Sequence, residues 1–150
     1  VDEIEIGEAT SGEREWCARL MAASEPWITL RRGLDVLLPA ALDPEYVVLV
    51  ARRAGVPCGF IRIHPRGVAG SPYVASVGVA AAERGRGVGT ALLDAAEARD
   101  PNARYVFLCV SSFNTRARAL YERHGYRLVG ELTDYVADGY SELLMGKRLA

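Results

Sequence analysis

The stretch Val77-Gly78-Val79-Ala80-Ala81-Ala82-Glu83-Arg84-Gly85-Arg86-Gly87-Val88-Gly89-Thr90 decides how this chain is read. A valine-rich run suited to a strand passes through Gly85, Gly87 and Gly89 into a segment from about Gly87 to Arg99. There Val88, Leu92 and Ala95 recur at helical spacing, facing inward. A strand that feeds a helix through glycines and arginines is suited to hold an anion. The first N–H groups of a helix have no intrahelical carbonyl, and the positive end of the helix dipole lies behind them. Glycines clear the approach to those amides, and Arg84 and Arg86 supply charge-assisted donors.

Two phosphate loops fail on this stretch. A Walker-type loop needs a Lys before its Ser/Thr, and Gly89 stands in that place before Thr90. A dinucleotide fold needs glycines spaced G-x-G-x-x-G after its first strand, with an acid at the end of the next strand. Here the spacing is Gly85, Gly87, Gly89, the loop lies past mid-chain, and the next strand ends in Cys109-Val110. Taken alone, the loop also allows a solvated turn that holds nothing.

Beyond it, Tyr105 to Val110 is a compact apolar strand, and Asn114 opens a helix that Gly125 closes as a natural C-terminal cap. Asn114 and Tyr121 are seven residues apart, which at about 100° per residue leaves them about 20° apart on one helix face. Asn114 suits an N-cap, and Tyr121 by itself suits half-buried packing. His124 sits where a helix C-terminus favours a cation.

The spacing Arg84-x-x-Gly87-x-Gly89 behind a valine-rich strand, with the Asn114-to-Tyr121 helix after it, resembles the GNAT superfamily of acetyl-CoA-dependent N-acetyltransferases. The resemblance extends over nearly the whole chain and is strongest from Tyr73 to Leu149. It implies an α/β (α+β) fold in which a mixed, mostly antiparallel sheet of about six to seven strands is flanked by about four helices. It also implies acetyl-CoA as co-substrate and no metal. The backbones of Val77 and Val79 would meet the pantetheine arm. Arg84, Gly85, Arg86, Gly87, Val88, Gly89 and Thr90 would wrap the pyrophosphate, and Gly78 would sit at a bulge that opens a cleft to the next strand. Asn114 would hold pantetheine or a nearby backbone group, and Tyr121 would protonate the departing coenzyme A thiolate.

The chain departs from the family at one point. Many members carry a Glu or Asp on the strand before the glycine loop, and here that stretch is Tyr73-Val74-Ala75-Ser76. Any carboxylate base must reach in from elsewhere, with Glu45, Asp134, Asp138 and Glu142 as candidates; a neutral amine or a water chain are the alternatives. Acceptor contacts are expected from the segment Glu25 to Leu38 and the last hairpin, with Trp27, Arg31, Arg32, Tyr135 and Tyr140 as candidates. Trp27 also suits core packing beside Leu30 and Leu34, and the arginines suit a solvated helix face. The expected acceptor is a small-molecule or peptide primary amine; the alternatives are the same fold with a longer acyl-CoA or a protein N-terminal or lysine amine, or a non-catalytic acyl-CoA-binding module.

Glu3 to Ile6 alternates like a strand, Glu13 to Ala23 is a helix, and a second helix follows Ser24-Pro26 and ends before Pro39. Glu45 to Ala51 and Val56 to Ile63 form a hairpin, Arg66 to Pro72 is a loop, and Tyr73 to Val79 is a strand. Tyr126 to Val136 and Tyr140 to Leu149 close the chain as a hairpin turned at Asp138-Gly139. The order is strand, two helices, three strands, helix, strand, helix, two strands.

Bulk properties narrow the classes. At 150 residues the chain suits one domain spanning 1–150. With 18 basic and 19 acidic residues it shows no footprint for nucleic acid or an anionic membrane. The 3 cysteines and 2 histidines have no metal-site spacing, and reduced thiols are expected. No apolar run nears the roughly 20 residues of a membrane span, and Val1-Asp2-Glu3 is acidic where a secretory leader is basic. The expectation is a cytoplasmic monomer or homodimer.

Overall fold

The structure is a computed structural model and describes residues 3–149. The alternating and valine-rich runs become strands β1 (Ile4–Glu8), β2 (Val47–Arg53), β3 (Val56–Val68), β4 (Ser71–Val79), β5 (Tyr105–Ser111), β6 (Arg127–Thr133) and β7 (Ser141–Arg148). They form one sheet in the order β1-β2-β3-β4-β5-β7-β6. Every neighbouring pair is antiparallel except β4 with β5. The helices are α1 (Ser11–Ala22), α2 (Leu34–Leu42), α3 (Val88–Ala98) and α4 (Thr115–Arg123), with a single 3-10 turn at Ala81–Glu83. The order of strands and helices is the one expected from the sequence.

Both faces of the sheet are covered, so its central strands read as nearly continuous apolar runs. On one face Cys17, Met21 and Leu37 of α1 and α2 pack on Val48, Val50 and Phe60. On the other, Leu92 and Leu93 of α3 and Tyr121 of α4 pack on Ile61, Ile63, Leu108 and Met145. Leu93 and Ala96 are buried in α3, whereas Ala95, expected inward, is half-buried.

Local chemistry sets the helix ends. Thr10 and Glu13 form a capping box on α1: Glu13 N donates to Thr10 Oγ1 at 3.1 Å, and Thr10 N donates to Glu13 Oε1 at 3.0 Å. Arg14 reaches across from α1 to the end of α2, donating to the carbonyls of Ala41, Asp43 and Tyr46 at 3.0–3.1 Å. Ala41 O is one of the last carbonyls of α2, which lack an intrahelical donor; Asp43 O also accepts from Tyr46 N at 3.2 Å.

Three expectations are corrected. Residues 24–31 do not continue as a helix with 34–38; they form successive turns, and α2 begins only at Leu34. Arg31 takes a left-handed φ of 57°, which no α-helix accommodates. The second helix also runs through Pro39 instead of stopping before it. Pro39 is exposed, and so is Asp35, whose carbonyl the missing N–H leaves without its helical donor. Finally, Arg66 to Pro72 is not a loop: β3 runs to Val68 and β4 starts at Ser71, turning at Ala69-Gly70 with positive φ at both.

Candidate active site

The feature that makes a site is the junction of β4 and β5. The two strands are in register only at Tyr73–Phe107 and Val74–Leu108, and then diverge. From Ala75 to Val79, β4 pairs with β3 on one side and shows its other edge to the opening. The irregularity in β4 lies opposite Arg62 and Ile63, which pair with Ser76 and Val74 and leave Ala75 between them. The bulge is therefore at Ala75 and not at Gly78. Gly78 instead gives room to the ring of Phe60, its partner on β3.

The opening widens into a cleft of about 880 Å³ between β4, β5, α3, α4 and the 24–40 segment. The strand-to-helix turn forms its upper end. Gly85 and Gly87 have φ of 74° and 84°, the left-handed region that glycine enters without a Cβ penalty. Space within 4 Å of a Cβ at either position is empty. The first intrahelical donor of α3 is Ala91, whose N–H reaches Gly87 O at 3.0 Å. The amides of Val88, Gly89 and Thr90 precede it without a helical partner, as an anion cradle requires. Gly89 serves packing as well, since a Cβ there would sit 3.2 Å from Leu120 of α4.

Asn114 caps α4, with its Oδ1 accepting from Ala117 N at 3.4 Å, and lines the cleft. Tyr121, 8% exposed, lines it too. Burial pushes its phenol up to about 12, so it stays protonated at neutral pH. No hydrogen bond to its hydroxyl is present among the described residues.

The α1/α2 side of the cleft is differently furnished. Arg62 on β3 donates from Nε to Ser76 Oγ at 3.1 Å and from Nη1 to Ala40 O at 3.3 Å, with its guanidinium 4.3 Å over the Tyr46 ring. Glu142 on β7 stands opposite Ser111 on β5, whose Oγ donates to Oε2 at 2.6 Å. Burial raises the Glu142 carboxyl, against the Ser111 hydrogen bond and the Arg32 charge, which lower it. Tyr73 and Cys109 stand beside it, and burial raises both.

Most of the expected residues meet here. Val77, Gly78, Val79, Arg84, Gly85, Gly87, Val88, Gly89 and Thr90 line the cleft, together with Asn114, Tyr121, Trp27, Arg32 and Tyr135. Trp27 also packs on the α1/α2 core. Three others lie outside it. Arg86 pairs with Glu83 at 3.4 Å, Arg31 is turned to solvent by its left-handed backbone, and Tyr140 packs edge-on against Phe113 at 5.1 Å. Arg62, Tyr73, Ser76, Cys109 and Ser111 escaped the sequence reading because only strand register brings them together. Of the carboxylate candidates, Glu142 lines the cleft; Glu45, Asp134 and Asp138 do not.

One grouping lies away from the cleft. His124, which has no metal-site spacing in the sequence, sits with Nε2 3.0 Å from Asp94 Oδ1 and 3.3 Å from Glu97 Oε2. Glu97 is also held by Lys147 Nζ at 2.7 Å and by the Tyr126 hydroxyl at 2.9 Å. Among the described residues no helix is long and apolar enough to cross a membrane.

Comparison with known proteins agrees with this architecture. Residues 13–126 match the family model described as the acetyltransferase (GNAT) family. The crystal structure of nourseothricin acetyltransferase is 30% identical over 72% of this chain and 68% of its own, with a TM-score of 0.62. Aminoglycoside 6'-N-acetyltransferase complexed with coenzyme A superimposes with a TM-score of 0.79 at 17% identity, covering 97% of each chain. Arabidopsis thaliana NAA60 in complex with a bisubstrate analogue gives 0.78 at 19% identity, over 99% of this chain and 100% of that one. No curated protein sequence matches the chain.

Proposed function

The chain belongs to the acetyltransferase (GNAT) family, and from that premise we propose that it moves the acetyl group of acetyl-CoA to a primary amine by direct attack. The observation that carries this is the parting of β4 from β5 in the same cleft that the first residues of α3, with their unpaired amides, also line. An extended amide-bearing chain fits along the open edge of β4, and a pyrophosphate fits the space before Gly85 and Gly87. Arg84, Arg116 and Arg123 give that end of the cleft the positive charge a phosphorylated ligand needs.

The thioester supplies an activated acyl carbon when bound. The backbone amides of Val77 to Val79 are the nearest candidates to take up charge on its carbonyl oxygen. Tyr121 keeps its proton and lines the same cleft, so it can hand that proton to the leaving sulfur.

The test is binding followed by turnover. Acetyl-CoA should raise the melting temperature by mass action, and NAD or ATP at equal concentration should not. Release of free thiol with a panel of amines then reports transfer. A larger shift with ATP or NAD than with acetyl-CoA would move the site to a nucleotide.

A further inference from the structure

Resting on the acetyl-transfer reading above, we propose that Glu142 and Arg32 form a two-point pocket for an amino-acid-like zwitterion. Glu142 receives the acceptor's ammonium and takes its proton, and the Arg32 guanidinium holds the acceptor's carboxylate.

Glu142 is 8% exposed and lies on the cleft wall. Among the described residues no cationic nitrogen comes within 4.0 Å of it, and Ser111 is its one hydrogen-bond donor. A buried carboxylate without a cation is costly to keep, and an incoming ammonium removes that cost. Ser111 fixes one oxygen and leaves the other for the ligand. The family's usual strand carries no acid in this chain, and Glu142 supplies one two strands along, on the same face as Tyr73 and Cys109.

Arg32 is half-buried on the same wall, and among the described residues its side chain has neither a hydrogen bond nor an ion pair. Its charge lowers the Glu142 carboxyl, and no nitrogen of Arg32 comes within 4.0 Å of a Glu142 oxygen. Two opposite charges that line one cleft without pairing suit a ligand that carries both. Arg62 strengthens the argument: it is tied to Ser76 and Ala40, and no carboxylate lies within 4.0 Å of it among the described residues. This half of the cleft thus carries Arg32 and Arg62 against Glu25 and Glu142. Such a balance disfavours a polycation, which needs a wall of acids. Trp27, Tyr73 and Tyr135 offer the acceptor's side chain aromatic contacts.

In the transfer, the acceptor's R–NH3+ gives one proton to Glu142, and the freed lone pair forms the C–N bond at the acetyl carbon. The C–S bond breaks with its electron pair on sulfur, which takes the Tyr121 proton. The nitrogen sheds a second proton, which restores Tyr121 through water, and Glu142 releases its own to solvent. The sum is an ammonium and acetyl-CoA going to an acetamide, free coenzyme A thiol and one proton.

The experiment follows thiol release with the proteinogenic amino acids, each paired where possible with its decarboxylated amine, beside a polyamine and an aminoglycoside. At least one amino acid should exceed its decarboxylated partner by about tenfold or more in kcat/KM, the scale of a charged hydrogen bond. Arg32→Ala should erase that difference through KM. Glu142→Gln should lower kcat and remove the acidic limb of the pH profile. Ser111→Ala should move that limb upward, because it deletes a bond to the charged form. The other groups facing Glu142 are Arg32, Tyr73, Cys109 and Tyr135, and the three tyrosine and cysteine variants should leave the limb in place. Preference for the decarboxylated amine, the polyamine or the aminoglycoside overturns the proposal. So does the absence of turnover with every amino acid, or an Arg32→Ala penalty equal for both partners. Calorimetric binding of acetyl-CoA, measured on the same protein, tells whether acetyl transfer itself still stands in those cases.

Discussion

The ring of Phe60 occupies the space into which a side chain on Gly78 would project, so that a Cβ at position 78 would collide with Phe60 Cε1. The two residues are direct partners in the β3–β4 pairing, and Phe60 is fully buried beneath α1 and α2. Gly78→Ala should therefore destabilise the fold by about 1–3 kcal/mol, the usual scale for overpacking. Phe60→Leu in the same chain should recover part of that loss, because it vacates the contested volume. Urea unfolding of the two single variants and the double variant gives the coupling. Additive losses would show that the ring and the glycine are independent.

At the glycine turn, Gly87→Ala places a side chain at φ 84°, where an L-residue costs about 1–2 kcal/mol. Its methyl also projects into open space at a residue that lines the cleft. Coenzyme A affinity should fall by about tenfold or more, while far-UV circular dichroism stays that of a folded protein. Unchanged affinity in calorimetry would remove the pyrophosphate from this turn.

Tyr121→Phe tests the proton donor while keeping the ring that packs edge-on to Tyr126 at 6.1 Å. We expect kcat to drop by about one to two orders of magnitude, the lower part of the range for general acid catalysis, because a thiolate leaves fairly well unaided. Acetyl-CoA affinity should stay within a few-fold. A variant that binds normally and turns over at the wild-type rate would return Tyr121 to packing.

A stability prediction comes from the start of α1. Arg52 donates to Glu13 through Nε at 2.7 Å and Nη2 at 2.6 Å, which lowers the Glu13 carboxyl from 4.5 to about 2. A carboxyl depressed by folding contributes stability that is complete above its unfolded value and is lost as pH falls through the folded one. Glu13→Gln keeps the reach back to Thr10 N but not the charge. It should be less stable than wild type by on the order of 1 kcal/mol above pH 5, given partial solvent screening, and the gap should close toward pH 2. A gap independent of pH would point to the cap alone.

The glycine-turn end of the cleft was more legible in the sequence than the part lined by Arg62, Ser111 and Glu142. Gly85, Gly87, Asn114 and Tyr121 act through local geometry, a turn, a helix start and a helix face, and local geometry is written in short spacings. Arg62, Ser111 and Glu142 come from strands separated by long stretches of chain, and register alone brings them to one wall. The segment after α1 misled for a related reason. Trp27, Leu30 and Leu34 keep helical spacing, but Arg31 leaves the helical region and Gly33 caps a new helix instead. A chain of turns can half-bury Trp27 and Leu30 as well as a helix can, while Leu34, on the same spacing, is left exposed.

The paired register of β4 and β5 ends after two residues, and this gives the sheet a seam. Strands β1–β4 form one panel and β5–β7 the other, stitched at Tyr73 and Val74 and by the side chains packed across both faces. A ligand laid along the open edge of β4 would span the parting and fasten panel to panel. Coenzyme binding would then be a mechanical event: amides between Ala75 and Val79 that point toward the opening should exchange with deuterium freely in the ligand-free protein and slowly once it is bound.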